Sequence, residues 1–457
     1  MVFSSLEFIF RFLPVFMLVY YLVPRAWKNA VILLGSIVFY AFGEPKYVLL
    51  IVASVAVNFF LAKIMAASRR RVVRGFVFAV DIIFNVAVLV IFKYLAFIIT
   101  NINGCLGTAY TVPELTLPLG ISFYTFQILS YEIDVYKRRI PYDRSLIDLG
   151  AYILMFPQLI AGPIVNYTEV SLDMKSRIVR LTDVEDGLRS FIIGLSMKVL
   201  LANNFGTIWD NVGTAGYDNI STVFAWIGAL AYTFQIYFDF AGYSLMAIGL
   251  GRMLGFKLPD NFRHPYMAVS IRDFWDRWHI TLTRWFREYV YIPLGGNRKG
   301  TVRTYVNLFA VWFITGLWHG AEWSFILWGL YYFCLVVLER LFVGRLLKKL
   351  PRLVGRIYTL LAVMLGWVLF ATESISDTLV YITKMFTINT GNDYMEQLPA
   401  VIMMIVAGAF FSTPLFERFM KRHSKDVIGI AALFVLFWAC VAALVDTLYN
   451  PFLYFRF

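Results

Sequence analysis

Val427-Ile-Gly-Ile-Ala-Ala-Leu-Phe-Val-Leu-Phe-Trp-Ala-Cys-Val-Ala-Ala-Leu-Val-Asp-Thr-Leu448 holds a single charged residue, Asp446, in a run of apolar side chains. About 20 such residues in a helix, rising 1.5 Å each, cross the ~30 Å hydrocarbon core of a bilayer. The stretch therefore reads as a transmembrane helix, and it has companions. Phe8–Val23, Lys46–Met65, Phe76–Phe92, Ser190–Leu201, Val223–Phe238, Phe325–Phe342, Ile357–Phe370 and Val401–Phe411 approach or meet the same length, and Ala30–Phe42 is a shorter candidate. The expected fold is an all-α, polytopic transmembrane helical bundle of about 11–13 helices, about twelve of them crossings, with re-entrant and interfacial helices besides.

Composition agrees. The chain is 60% hydrophobic and 18% aromatic, with a mean hydropathy of +0.70, whereas soluble domains run about 45–50% apolar. Residues 1–457 read as one transmembrane domain, without linker, repeat or low-complexity segment. The opening segment does not read as a cleavable signal, because Glu7 rather than a basic cluster precedes its apolar run. Cys105, Cys334 and Cys440 stand far apart and form neither a disulfide nor a zinc pattern.

The net charge of +12 raises the question of nucleic acid, and its distribution answers it. The segments 25–28, 63–74, 137–144, 175–189, 252–303, 340–356 and 418–425 hold 35 of the 41 Lys and Arg, whereas 101–117, 203–221 and 386–397 hold none. This is the positive-inside pattern. It puts the basic loops in the cytoplasm against anionic lipid and both termini outside, and leaves no case for nucleic acid.

The irregular places carry more information than the spans. Pro118-Leu-Gly-Ile-Ser-Phe-Tyr124 opens an apolar segment that contains Gln127, Glu132 and Asp134. Phe156-Pro-Gln-Leu-Ile-Ala-Gly-Pro163 breaks another, and 149–165 reads as re-entrant from the cytoplasmic side or as a proline-kinked helix. In 257–300, Trp275, Trp278, Leu282, Trp285 and Tyr289 recur at steps of 3, 4, 3 and 4. That spacing predicts one face of an amphipathic helix in the cytoplasmic interface. Asp273–Arg277 and Arg284–Glu288 are placed to pair at i,i+4, and His279 points with the apolar stripe.

The chain has four histidines. His423, in Lys-Arg-His-Ser-Lys, reads as a solvated loop residue, and His264, before a proline, as structural. His319 lies in Phe313-Ile-Thr-Gly-Leu-Trp-His-Gly-Ala-Glu-Trp323 between long apolar stretches. An ionisable side chain there is costly and marks a functional position. Thr315 and Glu322 are expected on its helical face, where they would orient the ring. Neutral imidazole is the usual general base near pH 7; the competing reading is a histidine that hydrogen-bonds helix to helix. No metal site is read, since neither His279 nor His319 has Cys or paired carboxylates at ligand spacing. Gly249-Leu-Gly-Arg-Met-Leu-Gly255 lacks a βαβ context and reads as helix packing rather than a nucleotide loop.

Taken together, Trp278-His279-Ile-Thr-Leu282, Arg287-Glu-Tyr-Val-Tyr-Ile-Pro-Leu-Gly-Gly296 and Gly316-Leu-Trp-His-Gly320 resemble the membrane-bound O-acyltransferase (MBOAT) family. Met1-Val-Phe-Ser-Ser5, Tyr40-Ala-Phe-Gly-Glu-Pro45, Pro118–Tyr124, Phe156–Pro163 and Tyr237-Phe-Asp-Phe-Ala-Gly-Tyr243 look like its bacterial alginate O-acetyltransferase branch. The resemblance runs through nearly the whole chain in order. It implies a bundle around a central tunnel, with acetyl-CoA as donor substrate from the cytoplasm and no bound cofactor. His319 falls on the family's invariant histidine, the base that deprotonates the acceptor hydroxyl. His279 falls on the second signature position and would place or polarise the thioester.

Arg272, Arg277, Arg284 and Arg298 are candidates for the phosphates of CoA by charge and side, with lipid headgroups as the alternative. Asn450-Pro-Phe-Leu-Tyr-Phe-Arg-Phe457 is similar to aromatic C-terminal tails of this branch, which makes Tyr454 a candidate acyl relay; an interfacial aromatic anchor is the alternative. The resemblance implies O-acetylation of an extracytoplasmic polysaccharide (alginate, cellulose, another exopolysaccharide or peptidoglycan) from the bacterial inner membrane. An SGNH-type transferase would be the partner protein, docking on 101–117, 203–221 and 386–397. D-alanyl transfer, transport of acyl groups or glycans, and a scaffold role in an export complex are the rivals.

Overall fold

In the computed structural model, which describes residues 1–395, 398–446 and 453, the regular structure is helical and no strand occurs among the described residues. Backbone contacts group the chain into two units, residues 1–191 with 246–259 and residues 192–245 with 260–457.

The first unit contains α1 (Phe8–Leu22), α2 (Lys28–Gly43), α3 (Val48–Ala67), α4 (Arg71–Leu106), α5 (Ile121–Tyr136), α6 (Leu146–Leu154), α7 (Phe156–Leu159) and α8 (Tyr167–Ser176). It also takes the start of α9 (Leu181–Ala215) and the end of α10 (Thr222–Met253). The second unit takes the rest of those two helices. It adds α11 (Ile271–Trp275), α12 (Ile280–Phe286), α13 (Thr301–His319), α14 (Trp323–Leu347), α15 (Arg352–Ala371), α16 (Ile375–Phe386), α17 (Leu398–Phe411), α18 (Pro414–Arg422) and α19 (Val427–Asp446).

Among the described residues eight helices are long and apolar enough to span a bilayer, or nine if the bent pair α17 and α18 is one span. The chain is a multi-pass membrane protein. Helix α1 is apolar but shorter. Helix α5, with 16 residues, is too short for the same criterion and carries Gln127, Glu132 and Asp134; α13, with 19, is long enough but carries Asn307, Thr315 and His319.

Helix α4 is longer than its apolar run implied. Its 36 residues extend ~54 Å, past the expected end at Phe92 and through a π turn at Val90–Tyr94. Likewise, Asn203–Ala215 is helix rather than loop. In both places polar residues (Lys93, Asn101, Asn203, Asn204) ended the apolar pattern without ending the backbone hydrogen bonding.

In the first unit, Phe3, Phe8, Phe39 and Phe156 form an aromatic core with centroids 4.9–6.2 Å apart. The broken segment α6–α7 is buried throughout 149–165. Protein covers its freed backbone: Phe156 N–H donates to Ser36 Oγ at 3.0 Å, and Tyr152 O–H donates to Val165 O at 2.8 Å. An interrupted helix at membrane depth requires such cover. The Gly249–Gly255 run is a packing site, since a Cβ on Gly249 would sit 2.4 Å from Gly187 O.

In the second unit α13 and α14 touch backbone to backbone. A Cβ on Gly316 would lie 2.5 Å from Phe325 O, and one on Gly329 2.4 Å from Trp312 O. Small residues at a membrane helix crossing permit this approach. Tyr331 O–H then ties α14 to α15 through Ala362 O at 2.8 Å.

Candidate active site

Helix α13 ends at His319, where Gly320 turns the chain into an extended conformation (φ −167°, ψ 157°). The imidazole is 7% exposed. Its ring centre lies 4.9 Å from Trp318, 4.8 Å from Trp328 and 5.2 Å from Phe370, each edge-on. Behind it, Trp328 packs on Tyr332 at 5.1 Å and on Trp275 at 5.7 Å. The close Gly316–Gly329 crossing is what brings Trp328, on α14, against the last turn of α13.

His319 is therefore buried in an aromatic box. Of the expected orienting groups, Thr315 stays on α13 one turn before His319, whereas Glu322 is not where a continued helix would put it. Thr315 Oγ1 donates to Val311 O at 2.7 Å, and Glu322 lies beyond the helix end, exposed, as the N-cap of α14.

His279 is 1% exposed and belongs to the same unit. The stripe Trp275, Trp278, Leu282, Trp285 and Tyr289 is buried, as its spacing predicts. The single helix through it is not formed. Helix α11 stops at Trp275 and α12 starts at Ile280, and between them His279 adopts the left-handed conformation (φ 44°, ψ 52°). That conformation costs a non-glycine residue about 1–2 kcal/mol and persists only where surroundings over-determine it.

The surroundings are visible. Ile280 N–H donates to Asn261 O and Arg263 N–H to Arg277 O, both at 3.0 Å, so the loop segment 261–263 clamps the turn from both sides. His279 Nδ1 lies 3.1 Å from Asn261 Oδ1, and the ring stands edge-on to Phe240 at 4.7 Å. It also faces Trp318 at 6.1 Å. Both imidazoles thus lean on one indole. Burial holds the pKa of His279 below its ordinary value.

The family model described as MBOAT, membrane-bound O-acyltransferase family, covers residues 135–376. A probable alginate O-acetylase of Pseudomonas putida is 35% identical over the whole of both chains. The chain belongs to the membrane-bound O-acyltransferase family. The peptidoglycan O-acetyltransferase of Helicobacter pylori is 35% identical over 85% of this chain and 80% of its own. The teichoic acid D-alanyltransferase of Bacillus subtilis is 28% identical over 54% of this chain and 65% of its own. This MBOAT protein is an O-acyltransferase of the membrane.

The other sequence candidates fall outside the aromatic box. Arg272 and Arg298 are exposed, Arg284 is half-buried, and Arg277 Nε donates to Asp273 Oδ1 at 2.7 Å, the expected i,i+4 pair. His264 Nε2 pairs with Glu417 at 2.8 Å and His423 Nδ1 with Asp426 at 2.6 Å, which gives both of them partners on the surface. Tyr454 lies outside the described residues.

Two features escaped the sequence reading of this MBOAT chain. Asn261, in a loop, carries no periodic signal. Lys198 and Asp239 did carry one, a charge of each sign inside an apolar run. They form a buried ion pair of 2.7 Å with side chains 4% and 3% exposed, and Asp239 Oδ2 accepts the Leu453 N–H at 2.8 Å.

Proposed function

We propose that the enzyme takes acetyl groups from acetyl-CoA at the cytoplasmic face and transfers them to a hydroxyl presented from outside, for O-acetylation of an extracytoplasmic polysaccharide. The observation that carries this reading is His319, an imidazole buried among aromatic rings at the end of a helix in a membrane protein of an acyltransferase family. The full-length relatives named for acetyl transfer to alginate, against half-length similarity to the D-alanyl enzyme, support acetyl as the group moved.

In this reading His319 accepts the proton of the acceptor hydroxyl as its oxygen attacks the thioester carbonyl. The C–S bond then breaks, the proton passes to the departing CoA thiolate, and an O-acetyl ester and CoA thiol result. Correctly placed general bases contribute about 10²–10⁴-fold. The aromatic box excludes water, which suppresses hydrolysis of the thioester and strengthens hydrogen bonds to the developing oxyanion. His279 sits beside the thioester end. Arg272, Arg277, Arg284 and Arg298 hold the CoA phosphates in this reading, and the exposure of Arg272 and Arg298 supports it.

Donor and acceptor meet in a tunnel that opens to both faces in the bacterial inner membrane, with both termini outside. The tail residue Tyr454 serves as an acyl relay to a separate SGNH-type transferase. What supports this is Leu453, immediately before it, which is 7% exposed and held through its N–H by Asp239.

The test uses the purified full chain in proteoliposomes with acetyl-labelled acetyl-CoA outside the basic face. CoA release coupled to label on an acceptor at the opposite face is expected. Turnover with D-alanyl carrier protein and none with acetyl-CoA would overturn the choice of acyl group, and label transported as intact acetyl-CoA would overturn the enzyme reading.

A further inference from the structure

Asn261 Oδ1 lies 3.1 Å from His279 Nδ1. Four hydrogen bonds meet at the side chain of this asparagine. Oδ1 also lies 3.3 Å from Thr281 N and 2.9 Å from Thr281 Oγ1, while Nδ2 lies 3.0 Å from Ser244 Oγ. A backbone N–H can only donate, so the atom facing Thr281 N must be the carbonyl oxygen, an acceptor. Two acceptors do not hydrogen-bond, so Nδ1 of His279 must bear the hydrogen. In neutral imidazole the other nitrogen then carries the lone pair. Nε2 has no hydrogen-bond partner among the described residues, although the ring is 1% exposed.

We infer that Asn261 is a positioning residue that locks His279 as the Nδ1–H tautomer, so that Nε2 presents a bare lone pair to the substrate and receives a hydrogen bond from a substrate O–H or N–H. The inference rests on the reading of His279 as part of the reaction site, and it narrows that reading. A bare Nε2 cannot donate to the thioester carbonyl, so His279 places a substrate by accepting a hydrogen, and the oxyanion is stabilised by other donors. The depressed basicity of the buried ring agrees, since it keeps the lone pair free of a proton. The left-handed backbone at His279 and the bond from Ile280 N–H to Asn261 O make side chain and main chain of Asn261 act on the same turn. The substrate group is a hydrogen-bond donor, either the acceptor hydroxyl or an amide N–H on the pantetheine arm of the acyl donor.

The direct test is ¹⁵N NMR of the full chain in lipid, labelled at its four histidines, with His279 assigned by its loss in His279→Asn. A protonated Nδ1 and a bare Nε2 at neutral pH are expected; a proton on Nε2 in the wild type would overturn the inference and leave acetyl turnover untouched. Kinetics with acetyl-CoA as probe give a second arm. Asn261→Ala is expected to release the tautomer and lower turnover roughly tenfold, the scale of one hydrogen bond. Asn261→Asp, which keeps an acceptor for Nδ1–H, is expected to restore the tautomer and most of the rate. Equal losses in both variants with the tautomer unchanged would overturn the positioning role. A rise in KM for acetyl-CoA assigns the bond to the donor's amide, and a fall in kcat alone assigns it to the acceptor hydroxyl. Failure of the acetyltransfer reading shows separately, as absence of wild-type turnover with the tautomer intact.

Discussion

Gly316→Ala perturbs the site without touching a reacting group. The new Cβ would lie 2.5 Å from Phe325 O and 3.3 Å from the Ile326 Cα, where contacts under 3.0 Å essentially never occur. Both neighbours are backbone, so no rotamer change relieves the clash. Helices α13 and α14 must part by at least about 0.5 Å, and the parting falls between His319 at the end of one and Trp328 on the other. Overpacking of this kind costs about 1–3 kcal/mol. A 1 Å misplacement of a catalytic group costs about 10²-fold, so half of that displacement predicts roughly a tenfold fall in kcat. The assay is CoA release from acetyl-CoA by the purified full chain, paired with its melting temperature in the same detergent. Gly104→Ala, whose Cβ would meet nothing within 4 Å, is the control and should leave both unchanged. Wild-type turnover in Gly316→Ala at an unshifted melting temperature would refute the claim that this backbone contact sets the position of His319.

Removing one member of the Lys198–Asp239 pair strands a buried charge, so Lys198→Met should destabilise the fold by about 3–5 kcal/mol, and Lys198→Met with Asp239→Leu should recover most of the loss; thermal unfolding in detergent reads both. Arg272→Ala and Arg298→Ala should each raise KM for acetyl-CoA with kcat unchanged, whereas a fall in kcat at constant KM would remove these residues from donor binding. Glu417, exposed on the polar helix α18, is held below its ordinary pKa of 4.5 chiefly by Lys421, with His264 adding to the effect and burial opposing it. Its contribution to stability is then complete above about pH 4.5 and is lost as pH falls through the lowered value. Glu417→Gln should flatten that acid limb, and an unchanged pH profile of melting would contradict the assignment.

The fold was legible wherever apolar side chains alone decide it. Helix α19 could be read from its run of leucine, valine and alanine. Helices α5 and α13 were harder, because the polar residues that make them useful also dilute the apolar signal. The limits of α4 and α9 were misjudged at Lys93 and Asn203, since hydropathy reports what surrounds a helix and not whether its i to i−4 bonds continue. The break at His279 was invisible for a related reason. The steps from Trp275 to Tyr289 record which side chains are buried, and two short helices joined by a left-handed residue bury the same set.

At the site, His319 announced itself as an ionisable group in an apolar segment, and burial of His279 followed from the stripe. Its partner Asn261 did not, because a loop asparagine 18 positions away acquires meaning only when the chain folds back on the turn. Trp328 lies in an apolar run with no signal of its own, and only the Gly316–Gly329 crossing makes it a wall of the box.

The most direct measurement is kcat for CoA release and acetyl transfer by His319→Ala, purified, folded by the same melting criterion and supplied with saturating acetyl-CoA. Loss of a general base predicts a fall of about 10²–10⁴-fold with the melting temperature retained. Turnover within a fewfold of the wild type would contradict the role given to this imidazole.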